Sequence, residues 1–243
     1  MPDKSRPPPI RNHLLAALPR EEYERLLPHL ESVSLPFMGV LYKGGEPIKH
    51  VYFPDDGLIS LLIVMKDETV REIGVVGNEG MLGIAVALGM KTATTRALVQ
   101  LPGVAMRMKA GALREELGRG GALQNVLQAY AHALLTQVSQ SAACVSAHAV
   151  DKRLSRWLLM THDHAPGDGF EMKHEFMAMM LGVTRSVVTR AAGLLQKEEM
   201  IRYTRGRVTV LDRGRLEAAA CECYGAVKAE YARSAHTSRL SSV

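Results

Sequence analysis

The spacing of apolar residues along this chain changes character twice. Near the start it is helical. Asn12 is placed to cap a short helix ending at Leu18, and Pro19 suits the first turn of a second helix carrying Tyr23, Leu26, Leu27 and Leu30. From Val33 to Met108 the texture becomes that of strands, with β-favouring runs at 32–35, 40–42, 50–53, 58–65, 72–76, 96–100 and 104–108. Turn signals separate them at Gly44-Gly45-Glu46-Pro47, Asp55-Asp56-Gly57, Gly77-Asn78 and Pro102-Gly103. Many short strands at near-regular intervals predict an antiparallel sandwich or barrel.

Helical spacing then returns at 110–117, stops at Gly118-Arg119-Gly120-Gly121, and resumes in the longest candidate helix, Ala122 to about His148. There Leu123, Leu127, Tyr130, Leu134, Val138, Ser141 and Val145 alternate at spacings of four and three, a narrow stripe suited to a two-stranded coiled coil. A helix buried within its own chain would show the same stripe. The small residues Ala131, Ala142 and Ala143 beside it favour the homodimer. Asp151 can cap the next helix, with Leu154, Trp157, Leu158 and Met160 as its apolar face, and a hinge falls at 149–151.

Beyond a loop at 165–169 and a short strand, Phe176, Met177, Met180 and Leu181 keep helical spacing until Gly182 breaks it. A second helix follows at once, with Val183, Val187, Ala191, Leu194 and Leu195 on one face and Thr184 as its cap. Two short helices around a tight Gly-containing turn are the sequence form of a helix-turn-helix. The β-branched runs around Arg205-Gly206-Arg207 then predict a hairpin, or wing. Asp212 can cap a last helix through about Tyr231.

Charge sharpens this picture. Between Met172 and Leu211 seven Lys or Arg stand against three Glu, a net +4 within a chain whose whole balance is +5. Arg185, Ser186 and Arg190 lie between the apolar positions of the second helix and should face outward. Arg can donate two parallel hydrogen bonds to guanine in the major groove, while Ser and Thr suit phosphate oxygens. Elsewhere composition mainly excludes. No apolar run approaches the roughly eighteen residues of a membrane span. Pro7-Pro8-Pro9 marks a loose N-terminal tail rather than a signal core. Three Cys cannot all pair within one chain, so a reduced, cytoplasmic protein is expected. No phosphate-binding Gly-rich loop followed by Lys, HExxH helix or GxSxG elbow is present, so no catalytic residue is assigned and the chain is not read as an enzyme.

The segment LGVTRSVVTRAAGLLQKEEMIRY resembles the winged helix-turn-helix of the Crp/Fnr family of bacterial transcription regulators. The resemblance implies DNA contacts at Arg185 and, five residues later, at Arg190. Ser186 stands where the family commonly has a Glu that reads cytosine, so the usual half-site cannot be assumed. Lys173 stands where a Thr normally caps the first helix. Thr184, Thr189, His174, Lys173 and Arg205 complete the expected DNA-binding set. The order helix, many strands, long helix is similar to the family's cyclic-nucleotide-binding β-roll, and KGGEPIKHVYFPDDGLISLL resembles its Gly-Glu turn, aromatic strand and hairpin. The family also implies that the long helix forms the homodimer interface.

The effector cassette departs from the cyclic-AMP-binding members, which carry Gly-Glu-Leu at a short helix and Arg-Ser about ten residues later. Here Gly80-Met81-Leu82-Gly83 has no Glu after Gly83, Thr95 occupies the usual Arg place, and Arg96 comes one residue late. A one-residue shift in a strand turns a side chain to the opposite face. Gly80, Met81, Leu82, Gly83, Thr95 and Arg96 therefore mark the candidate effector pocket of a roll kept as a dimerising and signalling scaffold with a different or absent ligand, with cyclic AMP disfavoured and no cofactor expected. His162-Asp163-His164 could ligate a metal but reads better as a loop or helix end, and no metal ligand is assigned. Cys144, Cys221 and Cys223 lack the N-terminal companions that iron–sulfur members of the family use. They read as buried helical Cys, with a thiol redox role left open.

The resulting expectation is an α+β protein. It has a flexible tail (1–11), an antiparallel β-roll sensor with flanking helices (12–121), a dimerisation helix (122–149), a winged helix-turn-helix (150–231) and a second tail (232–243). Its expected role is a sequence-specific, homodimeric transcription regulator bound to a double-stranded DNA operator, with RNA polymerase a further partner if it activates and no membrane contact. The competing readings are a nucleotide- or redox-sensing module that regulates a protein partner without specific DNA binding, and a metal or thiol redox protein.

Overall fold

Asn12 caps α1 (His13–Ala16) by accepting from the Leu14 and Leu15 N–H groups at 3.1 and 3.2 Å. Its amide donates to the Pro54 and Gly80 carbonyls, which ties the helix to the strands behind it. The computed structural model describes residues 10–240, with side chains through 236. The Pro7-Pro8-Pro9 segment lies outside the described residues.

After α2 (Arg20–Leu26), seven strands form close to their expected bounds: β1 (Glu31–Leu35), β2 (Val40–Tyr42), β3 (His50–Pro54), β4 (Leu58–Val64), β5 (Val70–Val76), β6 (Arg96–Leu101) and β7 (Gly103–Lys109). They make two antiparallel sheets, ordered β2-β6-β4-β5 and β1-β7-β3. Leu35, Val51, Phe53, Leu61, Val76, Val99 and Met108 fill the space between them. Leu113 of α3 (Ala110–Leu117) and Leu123, Val126, Leu127 and Tyr130 of α4 (Ala122–Ala147) close the same core.

That packing corrects the expected dimer stripe. Leu123, Leu127, Tyr130, Leu134 and Ser141 are buried within the chain itself, so they are not available to a second copy. The Tyr130 hydroxyl donates to the Met81 carbonyl at 3.1 Å. Two turns further on, Gln137 accepts from the Val75 N–H at 2.5 Å and donates to the Tyr231 hydroxyl at 2.9 Å. Val138 stays half-buried and Val145 is exposed. The physical reason is α9 (Cys223–Leu240), which folds back along α4 and, with the roll, occupies that face.

The C-terminal part contains α5 (Val150–His162), β8 (Gly169–Glu171), α6 (His174–Leu181), α7 (Arg185–Lys197), β9 (Ile201–Thr204), β10 (Arg207–Val210) and α8 (Arg213–Ala219). Asp212 caps α8 by accepting from the Arg215 N–H at 2.9 Å. Asp151 does not cap α5: the chain enters that helix two residues earlier than such a cap requires, with Ala149 as the N-cap and Asp151 in the first turn. The single last helix expected to end near Tyr231 is two, α8 and α9. Extended Ala220 breaks them apart, and α9 runs on to Leu240.

These helices do not stand clear of the roll. Leu58, Leu62, Val75, Leu98 and Leu101, on the outer side of the four-stranded sheet, share one core with Leu154, Trp157, Phe176, Met177 and Leu181. A buried polar chain crosses the same contact. Ser60 donates to Gln100 (2.7 Å), Gln100 to Thr161 (2.7 Å), Thr161 to the Trp157 carbonyl (2.9 Å), and the Trp157 ring N–H to Glu72 (2.8 Å). No helix among the described residues is long and apolar enough to cross a membrane.

Candidate nucleic-acid interface

Helix α7 owes its position to Val188, Ala191, Ala192 and Leu195, which are buried against α5 and α6. Leu194, expected on that inward face, is 53% exposed, because the buried stripe runs through Val188 and Ala192 instead. The opposite face carries exposed Thr184, Arg185, Ser186, Thr189 and Arg190. Gly182 ends α6 in the left-handed conformation at φ 66°, which sets the turn between the helices. Thr184 is the N-cap residue, but its hydroxyl meets Ser186 Oγ at 3.0 Å rather than a backbone N–H. Arg185 pairs with Glu175 at 3.1 Å, an exposed contact that a phosphate or base could replace at little cost.

The wing closes on Arg205 and Gly206, both with positive φ (51° and 85°), as a tight two-residue hairpin requires. Arg205 and Lys173 are exposed near one another on that side, Lys173 lying against Gly206. His174 has a different task from the one expected. It is buried, stacks on Tyr203 with ring centroids 4.0 Å apart, and its Nδ1 lies 2.9 Å from Thr189 Oγ1. Thr189 itself donates to the Arg185 carbonyl at 3.0 Å, so His174 is the donor in that contact. Burial, then the nearby Arg185 charge, lowers its pKa. A neutral His174 thus joins α6, α7 and the wing instead of facing a ligand.

The residues expected at the effector pocket do not all meet at one place. A cavity of about 170 Å³ lies between the four-stranded sheet and α4, lined by Tyr42, Leu61, Ile73, Met81, Thr95 and Leu134 among others. Leu82 and Gly83 also line it, whereas Gly80 packs against the Tyr130 ring, where a Cβ would lie 2.4 Å from it. Thr95 faces the cavity and bonds Tyr42, whose hydroxyl burial pushes up to about 12. Arg96 does not line it. It pairs with Leu62, on the side that meets the C-terminal helices, and its Nε is buried without a partner. Gly83 leads into a single 3-10 turn, Ile84–Val86. No charged side chain lines the cavity among the described residues.

His162 and Asp163 converge on Arg213, while His164 points away from them toward the roll. His162 bonds Asp168 (3.0 Å) and Arg213 (2.8 Å), and Asp163 holds Arg213 (2.6 Å) and Tyr224. His164 reaches Glu79 of the roll at 2.7 Å. Burial alone would lower the His164 pKa, but the Glu79 charge and hydrogen bond carry it to about 9. The three Cys, by contrast, converge with His148 at the foot of α4. Sequence spacing could not reveal that, since Cys144 and Cys221 are far apart along the chain; the local signals were the Cys-x-Cys of Cys221 and Cys223 and the four-residue spacing of Cys144 and His148.

Residues 152–219 match the family model of the Crp-like helix-turn-helix domain. No curated protein matches the chain. Among solved structures, FixK2 of Bradyrhizobium japonicum is similar at 16% identity and TM-score 0.68, covering 79% of this chain and 98% of its own. The c-di-GMP-responsive global regulator CLP of Xanthomonas campestris is similar at 16% identity and TM-score 0.62, over 79% of this chain and 99% of its own. A CRP/FNR-family transcriptional regulator of Thermus thermophilus shares 19% identity at TM-score 0.59, over 78% of this chain and 98% of its own. At these identities the likeness establishes the fold.

Proposed function

From a chain that carries a Crp-like helix-turn-helix domain within the fold of the Crp/Fnr regulators, we infer a sequence-specific DNA-binding transcription regulator that works as a homodimer. The observation that carries this reading is the open face of α7. Arg185, Ser186, Thr189 and Arg190 present a cation–hydroxyl–hydroxyl–cation row, with Arg205 and Lys173 beside it to hold phosphates. The recognition helix enters the major groove through its first turns, so Arg185 and Arg190 are the base readers.

The dimer seam follows from what α9 leaves uncovered. Ala131, Leu135, Val138, Ala142 and Val145 recur at spacings of four and three, with Leu135 63% and Val145 59% exposed. That is a coiled-coil seam beside the one the sequence suggested, sharing Val138 and Val145 with it. Two copies joined there would present two recognition helices to a two-fold operator.

The cavity supports a roll that works without cyclic AMP, because a cyclic phosphate needs a cation or free helix N–H groups and the lining offers Thr95 instead. Strand β5 is the route from cavity to reader. Ile73 and Val76 line the cavity, Val75 sits in the core shared with α5 and α6, and the Arg71 side chain abuts Gly182 in the helix-turn-helix. An effector would act by binding one arrangement of that contact better than the other.

The test is selection of genomic DNA fragments at two salt concentrations, followed by affinity measurement on the recovered site. A two-fold motif retained at the higher salt is expected. Arg185→Ala and Arg190→Ala should each weaken specific binding about 10- to 100-fold while the melting temperature holds. Unchanged operator affinity in both variants would overturn the assignment. Enrichment by cyclic AMP would overturn the reading of the cavity.

A further inference from the structure

Cys144 and His148 lie one helical turn apart at the end of α4, and Cys221 and Cys223 flank Glu222 in the turn that enters α9. The three thiols are buried and unpaired, the imidazole is half-buried, and the four ligand atoms all lie within 4.8 Å of one another. We propose that Cys144, His148, Cys221 and Cys223 form a four-ligand site for a single thiophilic divalent ion, zinc, which clasps α9 to the long helix.

Two geometric facts and one of charge carry this. The Cys144 and Cys221 sulfurs are 3.4 Å apart, and the Cys223 sulfur is 3.8 Å from His148 Nδ1. Metal–sulfur bonds of about 2.3 Å set at tetrahedral angles place ligand atoms roughly 3.7 Å apart, so the side chains already stand near the edges of such a tetrahedron. Second, the His148 ring is oriented from behind: Nε2 lies 3.2 Å from Glu222 Oε1, which leaves Nδ1 toward the thiols. A carboxylate on the remote nitrogen is the usual support of a metal-bound imidazole. Third, a divalent ion with three thiolates carries one net negative charge. Arg156, whose charge acts on Cys144, has Nη1 buried without a partner and can answer it.

Donor chemistry selects the ion. Three sulfurs and one imidazole suit zinc, while hard cations prefer oxygen. An iron–sulfur cluster would need ligands on separate irons and hence more widely spread. All four positions are protein side chains, so the site is closed and structural. Loading exchanges three thiol protons for one ion, releases those protons to solvent and changes no oxidation state.

The site's place in the fold gives it a role. It lies beside the joint at Ala149 and Val150, where the long helix passes into the reader domain, and at the base of the helix that packs back along α4. The ion would hold α8, α9 and α4 as one body, so the reader would keep a fixed bearing on the long helix.

The experiment uses the full chain, stripped with chelator and then titrated with zinc and, separately, with cobalt. One zinc per chain by elemental analysis is expected, with the visible absorption of tetrahedral cobalt–thiolate on cobalt loading, and thiols that react with a disulfide reagent only after chelation. Cys221→Ser together with Cys223→Ser should abolish loading. Glu222→Gln keeps all four ligands and should weaken zinc affinity about 10- to 100-fold. Zinc well below one per chain after refilling, or cobalt spectra without thiolate character, would overturn the proposal. So would equal zinc affinity in the wild-type protein and Glu222→Gln, a comparison that stands even if the double Cys variant fails to fold.

Discussion

Single residues decide what this chain offers a partner, and the Glu79–His164 pair shows how environment sets their charge. The pair bridges the roll and the loop after α5, largely out of solvent. His164 is raised to about 9, so its contribution is complete below its ordinary value of 6.5 and disappears as pH rises through about 9. Burial would raise the Glu79 pKa, but the His164 charge holds it below 4.5. Its share is present above that value and lost as pH falls through the depressed pKa. Glu79→Gln should therefore cost about 2–3 kcal/mol near pH 6 and much less at pH 9.5, read from denaturant unfolding. An equal deficit at both pH values would show that the pair is not ionised as described. His174 gives the complementary lesson. From the sequence it resembled a DNA contact, yet stacking on Tyr203 and bonding Thr189 make it part of the scaffold that aims Arg185.

At the level of elements, α4 matters most, because two of its faces compete for the description of interface. Its buried stripe belongs to the roll and to α9, and its open stripe runs through Leu135. Leu127→Ala should destabilise the fold by about 2–5 kcal/mol and leave association intact. Leu135→Glu should do the reverse: a melting temperature close to wild type, but a monomer by sedimentation and weak operator binding. If Leu135→Glu remained dimeric, the seam would lie elsewhere. The spacing of apolar residues was legible throughout α4. Which of two adjoining stripes meets a second copy was not, because that depends on a helix almost a hundred residues downstream.

For the whole molecule, the docking of the reader on the sheet is the governing feature. The strands that line the cavity on one face carry the reader on the other, and Glu72 lies in that contact under Trp157. Burial raises Glu72 to about 7, only partly offset by the hydrogen bond from the Trp157 ring N–H and by the Arg156 charge. A raised carboxylate binds its proton better in the folded chain, so stability falls as pH rises from its ordinary 4.5 and the full penalty is felt above about 7. Glu72→Gln should accordingly raise stability by about 1–2 kcal/mol at pH 8 and change little at pH 5. A loss of stability at pH 8 would mean that the ionised group is compensated within the contact.

Local patterns in the sequence determined a good deal. Short β-favouring runs bounded by turn residues marked all seven strands of the roll, although β3, β4 and β6 are buried almost throughout rather than on alternate residues. Gly182, the apolar spacing around it and Arg205-Gly206 marked the helix-turn-helix and its wing, because those conformations rest on nearest neighbours. The exposed Arg185 and Arg190 followed from the same periodicity. Tertiary structure alone decided three things: that α9 covers α4, that the reader's core continues into the sheet, and that Cys144 and His148 meet Cys221 and Cys223. Each joins segments distant in sequence, and no local spacing encodes which remote face will fill a given groove. The free energy of burying those faces together made that choice.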